Sequence, residues 1–110
     1  MSIVMNLYYT GTDGNARRFA EEMERSGIAG LIRGEAGNLR YEYFVPVKDP
    51  ETVLLIDIWR DQAAIDLHHS SPMMKEILRL RKKYGLQVNA ERYVTDENGI
   101  PDSDTKYIGR

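Results

Sequence analysis

The sequence predicts an α+β domain with the element order β-α-β-β-α-β, and two observations predict it. Four segments rich in β-branched and aromatic residues are bounded by turn residues, and two apolar stripes of helical period fall between the first and second of these segments and between the third and fourth. Such an order folds as a split βαβ, with one face of an antiparallel sheet covered by helices.

Each element follows from local chemistry. Ile3 to Tyr9 reads as the first strand and ends at Thr10-Gly-Thr-Asp-Gly14. Thr12, Asp13 or Asn15 then caps a helix in which Ala16, Phe19, Ala20 and Met23 recur at i, i+3, i+4 and i+7. Ser26-Gly27 stops or kinks that helix, and Ile28 to Arg33 adds another turn before Gly34. The second strand spans about Asn38 to Val47, with Pro46 marking an edge or a strand end. After a turn at Lys48-Asp-Pro-Glu51, Val53 to Trp59 forms the third strand, the most hydrophobic and therefore a central one. Asp61 caps a short helix that reaches His68 or His69, and Ser71-Pro72 starts a longer one carrying Met73, Ile77, Leu80 and Tyr84 on one stripe. Gly85 ends it, and Leu86 to Val94 is the fourth strand. Residues 1–94 thus form one ferredoxin-like domain. Residues 95–110 are an acidic, turn-rich extension, either disordered or reaching across a dimer with Tyr107 and Ile108 as an apolar anchor.

Strand three points Val53, Leu55, Asp57 and Trp59 one way and Leu54, Ile56 and Ile58 the other. Both faces are too apolar to be wet, so a homodimer that covers the open face is expected.

Composition excludes several classes. With 42% apolar and 29% charged residues the chain is that of a soluble globular protein, and the net charge of −2 gives no reason to expect nucleic acid. The basic residues Lys75, Arg79, Arg81, Lys82 and Lys83 read as a solvated helix face. The absence of cysteine removes thiolate chemistry and disulfides. The first apolar segment is short and carries Asn6, so no signal peptide is expected. No apolar run approaches the ~20 residues of a membrane span. The expectation is a cytoplasmic protein without a membrane partner.

The candidate site residues are few. His68 has an ordinary pKa near ~6.5, which suits proton abstraction near neutrality, or it only packs at a helix junction. Trp59 offers a flat surface for an aromatic ligand or is simply core. Asp57 shares the Trp59 face, where it orients an imidazole or ligand or pairs with Arg33 or Arg40. Tyr41 and Tyr43 alternate onto one face of strand two. Asn6, flanked by Val4 and Tyr8 on one face of strand one, is an amide in an apolar layer that serves structure or awaits a ligand. His69 is expected to be exposed, and two adjacent histidines diverge too far on a helix to share a metal.

Three pieces of the sequence together resemble the antibiotic biosynthesis monooxygenase family, in particular its quinol-monooxygenase-like members. They are Glu-x-Gly-Asn-Leu-x-Tyr from Glu35 to Tyr41, the Asp49-Pro50 turn, and Trp-x-Asp-x-x-Ala-x-x-x-His from Trp59 to His68, followed by Ser71-Pro72. The resemblance covers roughly Ile3 to Tyr93. It implies a dimeric α+β barrel with a pocket between sheet and helices, and oxygenation of a small aromatic, phenolic or quinol substrate by O2 without cofactor or metal. In that setting His68 and Asn6 become the catalytic candidates, as base and polariser, and Trp59, Tyr41, Asp57 and Tyr8 the substrate-binding ones. Two departures narrow it. Met73 and Met74 stand where many members carry a second histidine, and Leu78 stands where haem-degrading relatives place their iron ligand. The alternatives are isomerisation of a small carbonyl compound in the same pocket, or a dimer that binds a small molecule without turnover.

Overall fold

The computed structural model describes residues 1–109; Arg110, the last residue of the expected extension, lies outside them. Strands β1 (Ile3–Thr10), β2 (Asn38–Phe44), β3 (Thr52–Trp59) and β4 (Gln87–Val94) form one open antiparallel sheet in the order β2-β3-β1-β4. Helices α1 (Asn15–Arg25) and α2 (Ile28–Arg33) connect β1 to β2, and α3 (Gln62–His69) and α4 (Pro72–Lys83) connect β3 to β4. The result is the ferredoxin-like arrangement, with β3 and β1 central as their hydrophobicity demands.

The helices lie on the face to which Ile3, Tyr9, Leu55 and Trp59 project. Phe19, Met23, Ile32 and Leu80 reach that face from the helices and are fully buried. Burying a side chain such as Phe19 contributes about 1.5–3 kcal/mol. Tyr9 and Phe19 pack with ring centroids 4.8 Å apart. On the other face, Val4, Leu54, Ile56 and Ile58 are only half-buried.

Several local expectations are corrected. The second strand stops at Phe44, short of Val47, because Pro46 has no N–H to donate to a ladder. None of Thr12, Asp13 and Asn15 caps α1. Its N-cap is Gly14, and the Glu51 carboxylate, from the turn before β3, accepts the backbone N–H groups of Asp13 at 3.1 Å and Gly14 at 2.8 Å. Ser71 begins α4, yet its hydroxyl donates backwards to the His68 carbonyl at 2.7 Å. Asp61 does cap α3, accepting from the Ala64 N–H at 2.9 Å. In the extension, Thr95 continues the sheet edge by donating its N–H to the Ser2 carbonyl at 3.0 Å. Beyond it an exposed 3-10 turn spans Asp102–Tyr107, in which Tyr107 is well exposed.

One close approach fixes how the helical layer sits. Gly37, in the turn before β2, has φ +83°, and a Cβ added there would come within 2.5 Å of the Ala64 Cβ. Its carbonyl accepts the Arg60 N–H at 2.8 Å. Only glycine lets this turn press against the first turn of α3.

Candidate functional site

The cavity between the sheet and helices α3 and α4 has a volume of about 170 Å³. Its floor is the helix-facing side of the sheet. Antiparallel register sets Tyr41, Asp57, Met5 and Arg92 side by side across the four strands, and Trp59 follows Asp57 two residues on, on the same face. The roof comes from α3 and α4 through Ile65, His68 and Ile77, with Gln62 and His69 also lining it.

His68 is 5% exposed, and its ring lies over Trp59 with centroids 4.8 Å apart and planes 30° apart. Its Nδ1 is 3.0 Å from the Glu35 carboxylate, which arrives from the turn that Gly37 holds against α3. A carboxylate only accepts hydrogen bonds, so the proton in this contact sits on Nδ1, and in the neutral ring the lone pair is then on Nε2. Here Glu35, rather than Asp57, orients the imidazole. Sequence reasoning noted Glu35 as part of a pattern and missed this contact, because its partner is 33 residues away.

Asp57 takes neither expected arginine. Arg33 pairs with Glu24 and donates to the Tyr41 carbonyl at 2.8 Å, while Arg40 pairs with Glu42 at 3.0 Å. The Asp57 carboxyl instead accepts from the Asn38 amide at 3.4 Å and from the Trp59 side chain. Burial pushes it up from the usual 3.8 to about 7, against those two hydrogen bonds and with the Glu35 charge adding to the rise. Near neutrality the cavity therefore holds a carboxyl that both gives and takes a proton. Burial also raises the hydroxyls of Tyr9, Tyr41 and Tyr43, and those of Tyr41 and Tyr43 lie 3.1 Å apart.

The sequence-named residues divide by sheet face. Trp59, Tyr41, Asp57 and His68 converge on the cavity. Asn6 and Tyr8 do not. They alternate with Met5, Leu7 and Tyr9 along β1 and so project from the open face, where Asn6 is paired in register with Ile56 and Glu91. The Asn6 Oδ1 is buried there without a hydrogen-bond partner among the described residues. His69 is exposed, as expected, but also lines the cavity. Met5, Gln62, Met74 and Arg92 were not singled out as site residues. Met5 and Arg92 were legible only once strand register was known. Among the described residues no group of three or more His, Asp and Glu is placed to hold a metal ion, and no helix is long and apolar enough to cross a membrane.

A ferredoxin-like sheet under four helices, with an aromatic-lined cavity between the layers, defines a small α+β protein with an internal pocket. Residues 1–80 match the model of the antibiotic biosynthesis monooxygenase family, and the chain belongs to that family. Solved structures share the fold. A Deinococcus radiodurans protein named after the same family is 18% identical, with a TM-score of 0.76 over 90% of this chain and 96% of its own. A conserved protein from Methanosarcina mazei is 18% identical, with a TM-score of 0.75 over 87% of this chain and 94% of its own. SnoaB, a cofactor-independent oxygenase from Streptomyces nogalater, is 11% identical, with a TM-score of 0.72 over 87% of this chain and 94% of its own. No curated protein matches the sequence.

The raised Asp57 carboxyl has a thermodynamic consequence. Between the unfolded value near 3.8 and the folded value near 7 the native state binds the extra proton, so stability falls as pH rises through that window and levels off above it. Urea unfolding at pH 4 to 8 is expected to show this slope in the wild type and its loss in Asp57→Asn. The variant gains up to about 4 kcal/mol relative to wild type at pH 8, and the gap closes toward pH 4.

Proposed function

We propose that the protein is a cofactor-independent monooxygenase that oxygenates a single-ring phenol or quinol with O2. The observation that carries this reading is the Glu35–His68 pair against Trp59. It supplies an oriented imidazole, whose neutral form carries its lone pair on Nε2, beside an indole and inside a cavity lined mostly by apolar side chains. The cavity volume of about 170 Å³ suits one aromatic ring, since about 150 Å³ suffices to hold benzene. Family membership and the fold shared with a cofactor-independent oxygenase support the same chemistry.

In this mechanism Nε2 of His68 takes the phenolic proton, and Glu35 stabilises the imidazolium that forms. The ring anion supplies the electrons. A ring carbon forms a bond to one oxygen atom of O2, and the distal oxygen takes a proton. The O–O bond then breaks, and the ring carbon loses its hydrogen. For a quinol the sum is quinol plus O2 giving hydroxyquinone plus water, with one oxygen atom in each product. Asp57, balanced between its two protonation states near pH 7, returns a proton to the departing oxygen. Asn6 and Tyr8 project from the open sheet face, and this mechanism gives them no step in the cavity.

The protein acts in this reading as a homodimer that buries the open face. Val4, Leu54, Ile56 and Ile58 form an apolar patch there, and a second copy would supply the missing partner of the Asn6 Oδ1.

Three measurements test the proposal. Oxygen-electrode assays in chelator-treated buffer are expected to show quinol-dependent O2 consumption that falls at least about 100-fold in His68→Ala. Turnover of a carbonyl compound under nitrogen, with no O2 uptake from any quinol or phenol, would instead establish an isomerase. In sedimentation equilibrium the wild type is expected at twice the 12.7 kDa chain mass and Ile56→Asp at the monomer mass; a monomeric wild type would rule the dimer out.

A further inference from the structure

Arg92 occupies an unusual place. It lies in the same cross-strand row as Asp57, two strands away across Met5, and lines the cavity from the edge strand β4. Adjacent strands are ~4.8 Å apart, which puts the Arg92 and Asp57 backbones roughly 10 Å from each other. Asp57 therefore rises from a central strand of the cavity floor, and Arg92 from the edge strand on its far side.

Four of the nine described arginines are ion-paired. Arg33, Arg40, Arg60 and Arg79 each hold a carboxylate. Among the described residues Arg92 forms no ion pair, and its neighbours along β4, Glu91 and Tyr93, project from the opposite sheet face. Other charges facing the cavity do not offset it. Glu35 is committed to His68, and Asp57 is held by Asn38 and Trp59. Arg92 itself is solvent-exposed and lines the cavity at its rim.

We infer that the cavity selects a single-ring aromatic acid, whose ring packs beside the Trp59–His68 pair and whose carboxylate is held by the Arg92 guanidinium at the mouth. The inference rests on the oxygenase reading for the ring's fate, but not for its binding. A planar guanidinium matches a carboxylate through two parallel N–H donors, a geometry that an ester or an unsubstituted ring cannot satisfy. An aromatic acid also reconciles the small cavity with its open, charged rim, since the ring fills the enclosed part and the charged group remains near water.

Trp59 is the only tryptophan in the chain and lines the cavity, so its fluorescence reports occupancy directly. Anaerobic titrations would compare 2,5-dihydroxybenzoate, its methyl ester and hydroquinone against wild type, Arg92→Lys and Arg92→Gln. The acid is expected to bind wild type about tenfold more tightly than the ester, as a charge-assisted hydrogen bond warrants. Arg92→Gln removes that preference without changing ester affinity, and Arg92→Lys retains only part of it. Equal affinity of acid and ester in wild type, or a preference that survives in Arg92→Gln, overturns the inference. The wild-type comparison decides even if the variants fold poorly. Oxygen uptake with the same three rings keeps the two readings apart. Hydroquinone turnover without an acid preference defeats the anion subsite alone, and an acid preference without O2 uptake from any ring defeats the oxygenase alone.

Discussion

The contact between the turn at Gly37 and the first turn of α3 organises the rest of the site. A Cβ at position 37 would meet Ala64 at 2.5 Å, and the positive φ there is one that residues with a Cβ rarely adopt. Because glycine permits this approach, residues on either side of it reach the cavity wall. Glu35 contacts His68, and Asn38 contacts Asp57. The Gly37 carbonyl meanwhile fixes the backbone of Arg60, immediately before the Asp61 cap. A single backbone approach thus sets the orientation of the imidazole, the environment of the buried carboxyl and the start of the helix that carries His68.

Two carboxyl groups near one cavity come to differ because their surroundings differ. Glu35 lies in the loop with part of its surface open to water and has a ring N–H as its partner. Asp57 lies on a central strand under two helices, and the hydrogen bonds it receives from Asn38 and Trp59 do not offset its desolvation. The first is suited to hold an imidazolium, the second to exchange a proton near neutrality. In the proposed mechanism the two carboxyl groups divide these roles between them. Their divergence follows from placement on a loop and on a central strand.

How much of this was legible in the sequence depended on the range of the interaction. The alternation along β3 correctly separated Asp57 and Trp59 from Ile56 and Ile58, since strand periodicity is local. The Asp61 cap and the helix ending at His69 were likewise written within a few residues. The cap of α1 was not, because Glu51 lies 37 residues from Gly14 and only the sheet brings them together. The same limit hid the Glu35–His68 contact and the position of Arg92 beside Met5. Asn6 shows a different limit. Alternation placed it with Val4 and Tyr8, but which face of β1 turns toward the helices depends on its pairing with β3, and that pairing put Met5 over the cavity. Four residues expected in the pocket converge there, and the two from β1 fall on the other side of the sheet.

In the proposed mechanism Glu35 fixes the His68 tautomer and leaves Nε2 as the base. Long-range proton–nitrogen NMR correlation on ¹⁵N-histidine-labelled protein at pH 8 reads this directly, with His68→Gln identifying the signals. The predicted result is a neutral His68 ring protonated on Nδ1 in wild type, with that preference lost in Glu35→Ala. A ring protonated on Nε2 in wild type, or one whose tautomer is unchanged in Glu35→Ala, would rule out Glu35 as the group that sets the base.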